Sequence, residues 1–457
     1  MRGLSQARID GEEQPGWKWG PFTLRVPFLH TGIEWPELLQ GMIVAGATGL
    51  ALVPLLMIHF EFTFEQSLAI VFIQSMLISS APIIFGEPYA PGWITPALPL
   101  VLAYMGNSEF PYTTPEEKIQ FMTATSLTFA LLVLVLGLTG LGGKFLEWLP
   151  DSLKGGIIMG AAIAALYKVF LDPAHVEAQP VSTITAVALC LILTFSLPVQ
   201  KLKAKWKLLA VLAGLGLLPG FLAGALVGPL VGEVQYDIEW GLAIPPFVEV
   251  IEKVSPFAIG WPEWSMFVNG FPLALMGYVI LFGDLVTGME VLKGAVAKRP
   301  DEKIVIDVNR SHHSIAIRNA LMALFAPFFP TQGCLWTGVH VIIVQRWQEG
   351  RNKMDSLYSG IASYYVFGVP LLYLVLPLVT GLKPLMGIAL SLTLVLTGFA
   401  CSYVAMGIPK TQIERGVVIL TGVALAVFSP WIGMTVGVIA TILLVGPTNP
   451  DTEGQAN

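Results

Sequence analysis

Residues 326–347, APFFPTQGCLWTGVHVIIVQRW, constrain the fold most strongly, because this apolar segment cannot form one uninterrupted helix. Pro327 and Pro330 lack backbone donors and bias the residues before them toward extended geometry. A helix can begin only near Thr331, so the sequence predicts a short helix over residues 332–344. At membrane depth, such freed backbone is tolerated where protein buries it or where it lines a cavity. The segment is a candidate site, where the helix N-terminus would favour an anionic or strongly polar solute.

A matching segment lies in the first half, at residues 86–102, GEPYAPGWITPALPLVL. Its prolines predict an extended start, and Pro96 suits the first turn of a short helix over residues 97–103. Two broken apolar segments, one in each half, are typical of inverted-repeat transporters and indicate the binding site. The alternative is two re-entrant loops or proline-kinked helices that bind no substrate.

Composition places both segments in a polytopic membrane protein, because 54% of residues are hydrophobic and only 12% are charged. No basic tract indicates a nucleic-acid partner. The three cysteines have neither paired nor metal-ligand spacing, so we expect free thiols and no metal or other cofactor. The sequence also contains no glycine-rich nucleotide loop and no nucleophile motif, which argues against an enzyme.

Apolar runs predict an all-α fold with fourteen transmembrane segments, in two inverted repeats of seven. Segments three and ten are the broken ones, each a short strand followed by a half-helix. The runs cover residues 36–57, 66–83, 88–104, 119–141, 153–170, 182–197, 208–227, 266–292, 315–328, 332–344, 357–379, 385–406, 416–428 and 431–445.

Basic residues predict that both termini lie in the cytoplasm of a cell whose plasma or inner membrane holds the chain. With that orientation, four of the 25 lysines and arginines fall outside: Lys118, Lys168, Lys253 and Lys383. His312 and His313 fall in a charged cytoplasmic loop and are expected to be solvated. The predicted organisation is a cytoplasmic segment (1–35), the first repeat (36–227), an external connection with an interfacial helix at 247–254 (228–263), the second repeat (264–446) and a disordered cytoplasmic tail (447–457).

The eighth segment carries an acidic residue, Asp284, deep within an apolar run. A carboxylate at the centre of a transmembrane helix costs roughly 2.5–3.5 kcal/mol on insertion scales and usually serves function. Gly277, Ile280 and Thr287 share its helical face. We therefore predict that Asp284 couples transport to H⁺ or Na⁺. The alternative is a structural aspartate that accepts hydrogen bonds from a broken helix.

One face of the predicted tenth helix carries four residues at helical spacing: Gly333, Trp336, Thr337 and His340. Trp336 could hold a planar ring together with Tyr89 and Trp93, although membrane aromatic residues also serve as packing or interface anchors. His340 could carry a proton near neutral pH. Its alternative role is a satisfied hydrogen-bonding group in a packed helix.

Several motifs resemble one superfamily, the seven-plus-seven inverted-repeat transporters that include xanthine/uracil permeases, sulfate permeases and bicarbonate exchangers. GEPYAPGWITPAL resembles the broken third helix of uracil permeases, and LPDSLKGGIIMGAAIAAL resembles the fifth helix of both permease families. FPTQGCLWTG, from Phe329, is similar to the start of the tenth helix in sulfate permeases. Gly283-Asp284 resembles the glycine-aspartate of many nucleobase permeases.

The resemblance implies a core domain of segments one to four and eight to eleven, and a gate domain of the others. It also implies substrate contacts at Gln332 and Gly333, and at Ile280, where related carriers place an acidic residue. A homodimer would be consistent with the superfamily. The predicted function is a secondary transporter of a nucleobase-like solute, by symport with H⁺ or Na⁺. The alternatives are a transporter of inorganic or organic anions and a channel-like pore.

Overall fold

The computed structural model describes residues 8–171, 176–203, 205–214, 217–366 and 373–446, and this part of the chain is predominantly helical. Five helices are long and apolar enough to cross a membrane, and a bent pair of helices could add a sixth span. The prediction of an all-α polytopic membrane protein is confirmed. Because several other apolar helices are shorter than an ordinary span, the count of fourteen segments stays a prediction.

The first half begins with a hairpin of two short strands, β1 (Trp17–Trp19) and β2 (Phe22–Leu24). Its helices are α1 (Trp35–Gln40), α2 (Gly46–Leu50), α3 (Leu52–Phe60), α4 (Phe64–Ile83), α5 (Leu98–Met105), α6 (Pro115–Thr139), α7 (Gly142–Trp148), α8 (Asp151–Phe170), α9 (Pro180–Phe195), α10 (Leu197–Lys203), α11 (Lys207–Gly214) and α12 (Leu218–Val231). Helices α4 and α6 begin at capping boxes, in which Thr63 pairs with Gln66 and Thr114 with Glu117. The first predicted segment is divided into α1, α2 and α3, since a π-helical turn at Gly41–Ala45 interrupts it.

The second half has helices in the predicted positions, with boundaries that differ at the broken segment. They are α13 (Phe247–Val254), α14 (Pro256–Ile259), α15 (Trp264–Val296), α16 (Val308–Phe325), α17 (Thr337–Gln348), α18 (Leu357–Val366), α19 (Leu376–Leu382), α20 (Met386–Gly407), α21 (Gln412–Val427) and α22 (Pro430–Ala440). Helix α13 coincides with the predicted interfacial helix and buries Val250 and Val254. The predicted disordered tail, 447–457, lies outside the described residues.

Many helix contacts fall within the predicted core or within the predicted gate, while α5 on α8 and α2 on α20 are contacts between the two. In the core group, α6 packs on α15 and α16, α4 packs on α16 and α18, and α17 packs on α15. In the gate group, α8 packs on α20 and α21, and α9 packs on α12 and α20. A Cβ at Gly156 of α8 would lie 2.6 Å from the Cβ of Thr421, so the glycine is what allows this close helix approach.

Residues 8–34 lie across the loops that join the core helices. Arg8 donates to the carboxylate of Asp301 over 2.9 Å. The guanidinium of Arg25 lies 3.7 Å from the ring centroid of Tyr358. This N-terminal segment therefore packs on parts of the second half rather than extending freely from the first helix.

Helix α16 begins earlier than predicted, and this changes the environment of its histidines. Asp307 caps the helix by accepting from the backbone of Asn309 and Arg310. His312 is consequently buried in the first turns, where its Nε2 lies 3.0 Å from the Tyr278 hydroxyl. The prediction of a merely solvated loop was wrong for His312.

Candidate functional site

The two proline-rich segments cross each other as extended chains between α4 and α5 and between α16 and α17. Three backbone hydrogen bonds join them: Ile94 N–H to Pro330 O (2.9 Å), Gly333 N–H to Gly92 O (2.8 Å) and Trp336 N–H to Ala90 O (2.8 Å). The predicted extended starts of both segments are therefore present, but neither forms a regular strand, and a 3-10 turn at Thr95–Ala97 precedes α5. The freed backbone groups of each segment find partners in the other, as a low-dielectric environment requires.

Glycines allow the two segments to approach this closely. A Cβ at Gly333 would lie 2.7 Å from the carbonyl oxygen of Gly92, and a Cβ at Gly92 would lie 2.8 Å from the Cβ of Trp336. Gly333 is thus needed for the contact between the segments. It does not line the cavity described below, so the predicted direct contact with substrate is not seen for this residue.

Helix α17 begins at Thr337, and the predicted start at Gln332 was wrong. The prolines permit a helix from Thr331, but the amides of Gly333 and Trp336 donate hydrogen bonds to the other broken segment, and residues 332–336 therefore stay outside the helix. Trp336 has extended geometry as the residue before the helix, and no side chain caps the helix start. Gly333 and Trp336 therefore do not share a helical face with His340.

Amide side chains hold the unwound backbone from behind. Gln74 donates to the carbonyl of Ala326 over 2.9 Å, and Gln332 donates to the carbonyl of Gln74 over 3.1 Å. Asn319 on α16 donates to the carbonyl of Gln332 over 2.8 Å. Gln332 is completely buried, so it supports the crossing and does not lie on the cavity wall described below.

A cavity of about 450 Å³ lies where the crossing faces the gate helices. On the core side its walls include Ser75, Gly92, Trp93, Asp284, Trp336 and Thr337. On the gate side they include Thr194, Phe195, Thr393, Thr397 and Tyr403. The first residues of α17, Thr337 and Gly338, are exposed on this wall, so the start of the helix, whose first N–H groups have no partner within the helix, lies at the cavity.

Four of the predicted site residues line this cavity, and five do not. The four that line it are Trp93, Asp284, Trp336 and Thr337. The five that do not are Tyr89, Ile280, Gln332, Gly333 and His340; all are buried in the core group.

Packing explains why the buried residues do not reach the cavity. The Tyr89 ring packs against the His340 ring, with centroids 5.8 Å apart. His340 in turn accepts a hydrogen bond at Nδ1 from the Ala90 amide over 3.3 Å. Nε2 of the same ring is buried with no hydrogen-bond partner in the described part of the chain, so only one ring nitrogen fits the alternative of a satisfied histidine. Ile280 lies one turn from Gly277, whose Cβ position is filled by the Phe329 ring at 2.6 Å.

Asp284 is the carboxylate of the cavity wall. It lies one helical turn beyond Ile280, where α15 no longer packs against Phe329 and borders the cavity instead. In the described part of the chain its carboxylate has no ion-pair partner within 4.0 Å, because the buried cations of α16 lie behind the crossing. The predicted depth of Asp284 is thus combined with access to the cavity.

Sequence reasoning missed the hydroxyl-bearing wall of the gate group. Thr393 and Thr397 are spaced by four residues on α20, and this i, i+4 pair of polar residues in an apolar run was a usable signal. It also missed Tyr365, whose hydroxyl donates to the Pro91 carbonyl at the cavity edge. No local pattern distinguishes that tyrosine from an interface anchor.

Comparison with known proteins gives transporters. No family model matches the chain. A benzoate membrane transport protein from Acinetobacter baylyi is 22% identical over 373 residues, covering 79% of this chain and 82% of the relative. Two solved structures match at 14% identity: the transmembrane domain of the cyanobacterial bicarbonate transporter BicA, with a TM-score of 0.48, and murine Solute Carrier 26 family member A9, an anion transporter, with 0.46. They cover 89% and 90% of this chain, and 97% and 68% of theirs.

The chain is similar to membrane transporters along most of its length. The predicted resemblance to membrane transporters is supported by the benzoate membrane transport protein, which matches 79% of this chain. The closer likeness to xanthine and uracil permeases is not borne out by these relatives and stays a prediction.

Proposed function

We propose that the chain is a secondary transporter of small organic anions, and that the cavity between the core and gate groups is its substrate site. The observation that carries this proposal is the start of α17 at the cavity wall, beside aromatic and hydroxyl-bearing side chains. The free N–H groups and positive dipole end of a helix N-terminus favour a carboxylate. Hydroxyls from Thr337 and Thr397 can donate further hydrogen bonds.

An aromatic carboxylate fits this wall better than a nucleobase. Trp93, Trp336 and Phe195 offer apolar ring surface, and a volume of about 450 Å³ is typical of a small-molecule pocket. A nucleobase would need several polar partners along its edge, but Gln332 is buried behind the crossing, and Asp284 is the one carboxylate among the described lining residues. The relative with a benzoate-transport name supports the same choice. We therefore set the anion alternative above the predicted nucleobase-like substrate.

Asp284 supplies a reason for coupling to protons. A carboxylate substrate and an ionised Asp284 in one cavity would repel each other, and the low dielectric strengthens that repulsion. The anion therefore binds with Asp284 protonated, and release of both to the cytoplasm completes symport. Na⁺ bound at Asp284 would balance the charge in the same position. The proposal requires the core and gate groups to move relative to each other, as a channel would not.

The test is transport by the purified chain in proteoliposomes. Radiolabelled benzoate is presented to vesicles preloaded with unlabelled benzoate, because only an alternating-access carrier supports such counterflow. Protonated benzoic acid also crosses bilayers passively, so vesicles with a Gly338→Leu variant, whose added side chain would project into the cavity, give the background. We expect counterflow above this background, and driven uptake when the outside is acidic.

Uracil, xanthine, sulfate and bicarbonate are then added as competitors. Inhibition by benzoate analogues alone supports the organic-anion proposal. Inhibition by uracil or xanthine, with no effect of benzoate, would return the function to a nucleobase permease. Conductance that exceeds exchange by orders of magnitude would make the chain a channel.

A further inference from the structure

A buried arginine stands directly behind the crossing. Arg318 is on α16 and only 1% exposed, and its Nη2 donates to the carbonyl of Gly333 over 3.0 Å. Gly333 in turn donates from its amide to Gly92, which lines the cavity. A single layer of unwound backbone therefore separates the guanidinium group from the proposed substrate site.

The charge of Arg318 is not cancelled by an ion pair in the described part of the chain. Glu87 is the nearest buried carboxylate, but it lies 3.5 Å from Arg310 and accepts from the Ser311 hydroxyl over 2.5 Å. Arg318 has no carboxylate within 4.0 Å, and its Nη1 has no hydrogen-bond partner among the described residues. The buried cluster thus contains two guanidinium groups and one carboxylate. Of the other carboxylates, Asp307 is exposed at the start of α16 and is screened by solvent, and Asp284 lies on the cavity side of the crossing, where the proposed anion binds with it protonated.

We propose that Arg318 is a positioning residue that makes the cavity selective for anions, because it fixes the unwound backbone at Gly333 and places an unpaired positive charge behind it. Guanidinium stays protonated in proteins, so the charge is permanent. In a low-dielectric interior a charge acts over several ångströms without direct contact. Arg318 therefore favours a negative ligand at the start of α17 while leaving a neutral ligand of the same shape unaffected. This inference rests on the proposed function.

The experiment separates the charge of Arg318 from its hydrogen bond. Benzoate and benzamide, which have nearly the same shape but differ in charge, are titrated onto the purified full chain and onto two variants. Arg318→Gln removes the charge and keeps an N–H donor on a shorter side chain, whereas Arg318→Lys retains the charge. We expect Arg318→Gln to weaken benzoate binding at least tenfold and benzamide binding less than threefold. Arg318→Lys should restore benzoate binding to within about threefold of the unmodified chain.

A third variant covers the case in which Arg318→Gln does not fold. Glu87→Gln keeps a hydrogen-bonding side chain beside Ser311 and removes the carboxylate of the cluster. If the cluster acts by its charge, this change tightens benzoate binding several-fold and leaves benzamide binding unchanged. A purely structural cluster would instead lose affinity for both ligands, because its packing is disturbed.

The outcomes are distinguishable from failure of the proposed function. If the unmodified chain binds neither benzoate nor the other anions, the proposed function is wrong, whatever the variants do. If it binds benzoate, but Arg318→Gln weakens both ligands equally or neither, the selectivity role of Arg318 is wrong and the transport proposal stands. Weaker benzoate binding by Glu87→Gln would likewise overturn the role of charge.

Discussion

Replacing Gly333 with alanine tests how closely the two broken segments must pass. The added Cβ would lie 2.7 Å from the Gly92 carbonyl oxygen and 3.2 Å from the Ile94 amide nitrogen. Ordinary contact starts near 3.4 Å, so the segments would have to separate by about 0.7 Å at the closest point. The backbone of Gly333 is not left-handed, so the effect is steric and not conformational.

The magnitude follows from the cost of overpacking a close contact. Such insertions destabilise a packed interior by roughly 1–3 kcal/mol. Because about 1.4 kcal/mol corresponds to a factor of ten, the equilibrium for opening the crossing shifts by roughly fivefold to 150-fold. Breaking even one of the three backbone hydrogen bonds, at about 1 kcal/mol net, falls at the lower end of this range.

Hydrogen–deuterium exchange measures this opening directly, since the amides of Ile94, Gly333 and Trp336 are the donors of the crossing. Peptides that contain them should exchange roughly fivefold to 150-fold faster in Gly333→Ala, if exchange follows local opening. The matched control is Gly294→Ala on α15, where an added Cβ meets no atom within 4 Å. Equal protection of the crossing in both variants would refute the close approach described here.

Three further predictions follow, two from the cavity and one from the loop between α15 and α16. Asp284→Asn should change benzoate affinity by no more than about tenfold, at most ~1.4 kcal/mol. The variant should retain counterflow but lose accumulation driven by an ion gradient. Equal loss of binding and counterflow would make Asp284 a substrate ligand or structural residue. Gly338→Leu should abolish benzoate binding without lowering the unfolding temperature. That temperature can be measured with a thiol-reactive dye, because all three cysteines are buried in the folded chain. Retained binding would show that this wall is not the site. Hydrogen bonds from Arg299 hold the pKa of Asp301 well below its usual range, so their contribution to stability is present above about pH 4 and is lost as the pH falls through the lowered pKa of the folded state. Arg299→Met should therefore lower the unfolding temperature at pH 7, and an unchanged unfolding temperature would show that the Arg299–Asp301 pair contributes no stability.

The broken segments could be predicted because proline acts locally. Pro327 and Pro330 exclude a continuous helix wherever the chain folds, so the interruption was readable from one segment. The start of α17 at Thr337 was not readable, because it depends on hydrogen bonds to Ala90 and Gly92 in the other half. Local rules set where a helix is permitted, and long-range pairing determined where it begins.

Residues of the site divide in the same way. Asp284 was identifiable because a carboxylate in an apolar run is costly wherever it lies. Arg318 was not identifiable, because it lies three residues inside the predicted segment 315–328, near the end where basic residues commonly mark the cytoplasmic boundary. The helix begins at Val308, capped by Asp307, and Arg318 is therefore three turns inside it. Its role depends on the position of Gly333, which no spacing within α16 encodes.

The crossing has a consequence for how the chain is made. When the first half has entered the membrane, the carbonyls of Ala90 and Gly92 and the amide of Ile94 still lack the partners that residues 330–336 will provide. Unsatisfied backbone groups are costly in lipid, so the third segment cannot reach its final state until most of the second half has been synthesised. Each half, when it is produced alone, should insert less stably into a membrane. Two halves that are produced together can supply each other's missing hydrogen-bond partners.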